Sequence, residues 1–183
     1  MAQIKVITTE AGRCYCGAYP AITIGYKTPE GCCVAPADGS GSVVLGAETS
    51  ALGSESVAIG FCAKATCAQS VAIGYESRAD SVRVIAIGSP SYAQGYGSVA
   101  IGVDGVTADS NSISIGTGAK SCAESVAIGW GASASRRGLA LGKGARAGDS
   151  EICFSVGGTA YKMTNTQFFN MLKQYGAVEV SGC

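Results

Sequence analysis

The sequence predicts an all-β chain: a parallel β-solenoid of 13–15-residue coils with a short C-terminal helix. Three observations carry this expectation. A five-residue string recurs at a fixed spacing, large and small residues alternate within it, and each spacer holds two further columns of small residues.

Ser-Val-Ala-Ile-Gly occurs at 56–60, 70–74, 98–102 and 125–129. Degenerate copies fill the gaps, so that the closing glycines fall at 46, 60, 74, 88, 102, 116, 129 and 142. Five steps of 14 are followed by two of 13, and a looser ninth copy, Phe154-Ser155-Val156-Gly157, closes after 15. Within each copy two large residues, such as Val57 and Ile59, alternate with small ones, the two-residue period of a strand. β-Branched residues dominate both large columns, as a buried strand prefers. They are therefore expected to form the core against Ala-sized partners.

Three and five residues after each glycine stand two small columns, represented by Ala63 and Ala65. They describe a second strand whose inward face admits only small side chains. Its intervening residues, among them Lys64, Arg78, Tyr92, Lys120, Ser133 and Arg146, are mostly polar and should meet water. Fourteen residues then hold two strands of about five residues and two tight turns, one coil of a solenoid. Such coils stack at about 4.8 Å, so eight make a rod roughly 40 Å long. A lone stack would be thin, and close association of several chains is the natural remedy.

Composition agrees and excludes several function classes. Gly, Ala and Ser make up 76 of the 183 residues, which suits backbones packed closely. There is no histidine, hence no Ser-His-Asp or Cys-His nucleophile and no HExxH metal site. Thirteen basic and thirteen acidic residues cancel, leaving no electrostatic footprint for nucleic acid or an anionic membrane. No apolar run of about 18 residues exists, so no membrane insertion by a helix is expected. The first residues also lack the features of a signal peptide.

These repeats resemble the head repeats of trimeric autotransporter adhesins, the YadA-like left-handed parallel β-roll. The resemblance covers about 42–157 and implies the left hand and a homotrimer. Ser155-Val156-Gly157 and Lys162-Met163-Thr164-Asn165 resemble the start of that family's neck. The family then continues into a coiled-coil stalk and a barrel anchor, which this protein is expected to lack, and the same roll occurs in tail and head fibres of bacteriophages. The reading preferred from sequence is thus a non-enzymatic trimeric fibre of a phage virion, for host attachment or as an appendage spacer. The alternative is the head domain of a bacterial trimeric surface adhesin that binds host or matrix ligands. An enzyme riding on a trimeric spike is a third, weaker reading.

Three segments follow. Residues 1–41, with strands at 4–9 and 21–26, read as a cap or as the attachment to other virion proteins; 42–157 is the roll; 158–183 is neck-like. Thr164-Asn165-Thr166-Gln167 has the form of a capping box opening a helix over 164–175, whose stripe of Phe168, Met171, Leu172 and Tyr175 suits trimer packing. Gly176 can end it.

Candidate chemistry is sparse. Cys14, Cys16, Cys32 and Cys33 stand at spacings unlike structural zinc, and free thiols, a disulfide or a metal all remain open. Cys62, Cys67, Cys122 and Cys153 occupy roll positions and read as small buried residues. Gly116-Thr117-Gly118-Ala119-Lys120-Ser121 only imitates a phosphate loop, because its first glycine is the repeat glycine in register. The carboxylates Glu48, Glu55, Glu76, Asp80, Asp104, Asp109, Glu124, Asp149 and Glu151 are scattered over different coils, with no pair marked for acid and base. No cofactor is expected. Phe61, Tyr75 and Trp130 follow repeat glycines and read mainly as corner cover. Tyr92, Tyr96, Trp130, Arg136 and Arg137 are the candidate recognition residues, for a host-cell surface glycan or protein.

Overall fold

The computed structural model describes residues 5–9, 21–25, 41–107 and 109–176. Two sheets run the length of a solenoid. The first has twelve strands, eight of them the repeat cores from Val43–Leu45 to Leu139–Leu141; the second has eight, from Ser50–Ala51 to Arg146–Ala147. Each coil contributes one strand to each sheet. Successive coils pair in parallel with Val57 beside Val71 and Ile85, and Ala65 beside Ala79. Repeat spacing has become sheet register.

The strands of the coils are shorter than expected, three residues in the eight repeat cores of the first sheet and two or three in the second. Two left-handed positions take up the difference in every coil but the one that carries Pro90. One lies two residues after the repeat glycine, as at Glu48, Cys62, Glu76 and Asp104; the other precedes the next copy, as at Glu55, Gln69, Arg83 and Asn111. Non-glycine residues hold φ of 53–58° at these sites. That geometry costs energy, which regular pairing of the flanking coils must offset.

The interior inverts the expectation from sequence. Ala58, Ala72, Ala86, Ala100, Ala127 and Ala140 are fully buried, whereas the β-branched residues on either side of them are only half-buried. The interior is lined by Ala and Ser: Ala63, Ser77, Ala119 and Ala132, each just ahead of a strand of the second sheet, close it beside Ala65, Ala79 and Ala93. A coil of 13 or 14 residues with two sharp turns holds its sheets too close together for two facing layers of Val and Ile. The large side chains therefore point outward. Serine hydroxyls inside tie the turns, as Ser56 Oγ donates to the Gly53 carbonyl at 2.6 Å and Ser125 Oγ to that of Cys122 at 2.6 Å.

Both ends of the first sheet finish antiparallel. Strand Ala21–Gly25 pairs in parallel with Val43–Leu45, placing Ile22 beside Val43 and Ile24 beside Leu45. Ala21-Ile22-Thr23-Ile24-Gly25 is thus a further copy of the repeat, concealed in the sequence by its distance from the next one. Lys5–Thr9 then pairs antiparallel against it. At the other end Ile152, Cys153 and Phe154 lie beside Leu139, Ala140 and Leu141, so Ser155, and not Gly157, occupies the repeat-glycine place. The last step is 13, and the spacing of 15 is corrected accordingly. Gly157 and Gly158, at φ +57° and +83°, turn the chain into the antiparallel strand Thr159–Thr164.

The helix α1 (Asn165–Gln174) begins as its sequence proposes. Thr164 Oγ1 accepts the Gln167 amide N–H at 3.2 Å, and Gln167 Oε1 accepts the Thr164 N–H at 2.9 Å. Gly176, at φ +83°, follows the end of the helix. No residue of α1 is buried within one chain.

Candidate recognition surface

Four surfaces run along the roll: the outer aliphatic face of the first sheet, the outer polar face of the second, and the two corners that join them.

The aliphatic face holds two columns of eight large side chains, one headed by Val43 and the other by Leu45, and none is buried. Leu45 and Ile128 are the most exposed of these. Water does not tolerate so long an apolar strip on a stable monomer.

The polar corner carries a side-chain ladder across successive coils. Gln69 Nε2 donates to Glu55 Oε2 at 3.0 Å, Arg83 Nε to Gln69 Oε1 at 3.0 Å, and Arg83 Nη1 to the Tyr96 hydroxyl oxygen at 2.8 Å. Tyr96 is half-exposed but held. Arg136 falls in its column three coils on and Arg137 beside that, both exposed.

The opposite corner follows the repeat glycines. Phe61 and Tyr75 stack there with ring centroids 5.7 Å apart and planes 10° from parallel. Both are exposed in the single chain. The Glu76 carboxylate, hydrogen-bonded to the Tyr75 hydroxyl, raises the pKa of that phenol. In the adjacent column Cys62 Sγ donates to Glu48 Oε2 at 3.1 Å. Burial, then that bond and the charges of Glu48 and Glu76, pushes the Cys62 thiol up to about 11. Further along, Trp130 is 59% exposed, with the Lys143 ammonium 4.6 Å from its ring centroid.

The outer face of the second sheet bears Lys64, Arg78, Tyr92, Lys120, Ser133 and Arg146, as expected. Arg78 is paired with Asp80 at 2.9 Å. A shallow groove of about 320 Å³ lies between Lys120 and Arg146, with Gly118, Gly131, Ala132 and Ser133 lining it.

The candidate residues from sequence therefore separate. Tyr96, Arg136 and Arg137 share the polar corner, Trp130 stands at the other, and Tyr92 lies on the face between. Lys120, Lys143 and Arg146 are the functional candidates missed. Register would have placed them near Trp130, but each looks ordinary within its own coil.

Of the roll cysteines only Cys153 is buried; Cys62 and Cys67 are half-exposed and Cys122 is exposed, which corrects the buried reading. All four are free. Cys14, Cys16, Cys32 and Cys33 lie outside the described residues. Among the described residues no three Cys, Asp or Glu gather as metal ligands, and no helix is long and apolar enough to cross a membrane. The helix stripe is not packed within one chain, since Phe168 and Leu172 are half-buried while Met171 and Tyr175 are exposed, Tyr175 by 83%.

The family model for the YadA head domain repeat (2 copies) matches residues 37–61, 65–91 and 93–119. Residues 37–119 of the roll thus carry YadA head repeats. The match ends at residue 119, while the parallel register of the roll itself continues without a break to Leu141 and Phe154. No curated protein matches the chain.

Proposed function

We propose that this chain is a non-enzymatic, trimeric adhesive head on a bacterial surface, which binds a host-cell or matrix ligand. The aliphatic face of the first sheet, set beside the YadA head repeats, carries the reading. Three such faces turned to a common axis would bury the Val, Ile and Leu columns and leave the second sheet and the aromatic corner outside. The stripe of Phe168, Met171 and Leu172 would close on its symmetry mates beyond the roll. In this reading residues 1–41 cap the roll and 158–183 open the neck. A virion fibre, preferred from sequence, has no support in the matched family; the surface-adhesin alternative fits it better.

Beads coated with the purified chain, applied to host cells and to immobilised matrix proteins, test adhesion. Saturable attachment blocked by soluble chain is expected, and attachment no better than albumin-coated beads would contradict it. Antibodies against the roll, applied to intact cells of the encoding strain and to its purified phage particles, test the location. Labelling of particles alone would overturn the surface placement.

A further inference from the structure

We propose that the groove next to Trp130 in sequence is a binding site for an acidic glycan, a chain of sulfated sugars. It deepens the adhesive reading by naming a ligand class, and rests on that reading only for where the ligand is met.

Two residues after each repeat glycine the first five coils carry Glu48, Cys62, Glu76, Pro90 and Asp104, and the last three carry Gly118, Gly131 and Gly144. Carboxylates are thus replaced by bare backbone over three consecutive coils. At all three glycines the position a Cβ would take has no atom within 4 Å, so the surface there is open. Gly118 and Gly131 line the groove, and Lys120 and Arg146 flank it on either side of Ser133. Register pairs Lys120 with Ser133 and Ser133 with Arg146, which puts the backbones of the two cationic residues about 10 Å apart, two strand spacings.

Trp130 immediately precedes Gly131, and Lys143 adds a third cation against its ring. Among the described residues none of Lys120, Lys143 and Arg146 is paired with a carboxylate, in contrast to Arg78 with Asp80 and Lys162 with Glu151. An exposed indole offers an apolar platform for the C–H face of a sugar ring, and the cations and the Ser133 hydroxyl suit sulfate or carboxylate oxygens. The electrostatics favour a glycan over nucleic acid: the net charge is zero and three cations fall short of the 6–10 phosphate contacts typical of strong duplex binding.

Trp130 is the only tryptophan in the chain and immediately precedes Gly131, which lines the groove, so its emission reports on this corner of the roll. The purified full chain is titrated with a sulfated glycosaminoglycan hexasaccharide, with its desulfated form and with a single-stranded oligonucleotide of similar charge. Saturable change in emission with the sulfated sugar is expected, weakening about 20-fold between 50 and 200 mM salt if three cations each release roughly 0.7 counterion. The exposed double variant Lys120→Gln/Arg146→Gln should lose at least tenfold in affinity with an unchanged circular dichroism spectrum. Arg136→Gln/Arg137→Gln, at the other corner, should bind as the parent does. No response to the sulfated sugar, equal binding of the desulfated form, tighter binding of the oligonucleotide, or equal loss in the Arg136/Arg137 variant would each overturn the proposal. Binding is scored in solution, so a failed cell-surface location leaves it intact.

Discussion

Gly74 lies against the backbone of Gly88: a Cβ on Gly74 would stand 2.0 Å from the Gly88 carbonyl oxygen. The same contact recurs from Gly46 on Gly60 to Gly129 on Gly142. The repeat glycines thus form a ladder in which each coil leaves room for the next, at a φ of +125° for Gly74. Gly74→Ala should therefore cost at least about 3 kcal/mol, from backbone strain together with displacement of the next coil. Gly118 shares a positive φ, +65°, but nothing lies within 4 Å of its Cβ site. Gly118→Ala should cost only about 1–2 kcal/mol. Thermal unfolding of the two variants checks the order; equal losses would refute the ladder.

Substitutions on the two faces of one strand should separate folding from assembly. Ala86 is fully buried between the sheets, while its neighbour Ile87 faces outward. Ala86→Leu forces a large side chain into a layer built for methyl groups and should destabilise the roll by 1–3 kcal/mol or more, by the usual effect of overpacking. Ile87→Ser combined with Ile101→Ser should leave the strand signal in circular dichroism intact and lower the fraction of trimer. Loss of the fold in the Ile variant, with tolerance of Ala86→Leu, would restore the opposite assignment of inside and outside.

The Cys62 thiol gives the account a pH dependence. Its folded pKa is raised from 9.0 to about 11 by burial and by the Glu48 carboxylate. The folded state holds this proton more tightly, so the contribution to stability is complete below pH 9.0 and is lost as the pH rises to about 11. At pH 8 the thiolate fraction should be about 100-fold below that of an ordinary thiol. Alkylation rates resolved by mass spectrometry should show Cys62 as slow, and Glu48→Gln should quicken it. A Cys62 rate that Glu48→Gln does not change would contradict the assignment.

Removing the helix cap should be a local event. Thr164→Ala deletes the acceptor for the Gln167 N–H and should cost α1 about 1 kcal/mol. Since no residue of α1 is buried within the chain, helicity at 222 nm should fall while the melting of the roll stays put. A lowered roll transition would show that α1 is packed more firmly than one chain reveals.

The coil, its register and the capping box were legible because each is a local pattern: a period of 14, a period of two, and a Thr-to-Gln spacing of three. Which side of the strand faces in was not. Alternation separates Val57 and Ile59 from Ala58 but is the same whichever set is buried; the decision comes from the distance between the sheets. The repeat copy at 21–25 was concealed because a long insertion separates it from Val43–Leu45. The groove was hidden for a related reason: Lys120, Trp130, Lys143 and Arg146 spread over 27 positions and meet only once the coils are stacked.

The central claim is that other chains cover the large residues that the narrow roll turns outward. Light scattering on the purified chain, coupled to size exclusion, tests it most directly. Three copies of the 18.2 kDa chain predict a particle of about 55 kDa with the β-rich spectrum of the roll. A folded, stable particle of 18.2 kDa would contradict it, leaving the Val and Ile columns in water without a partner.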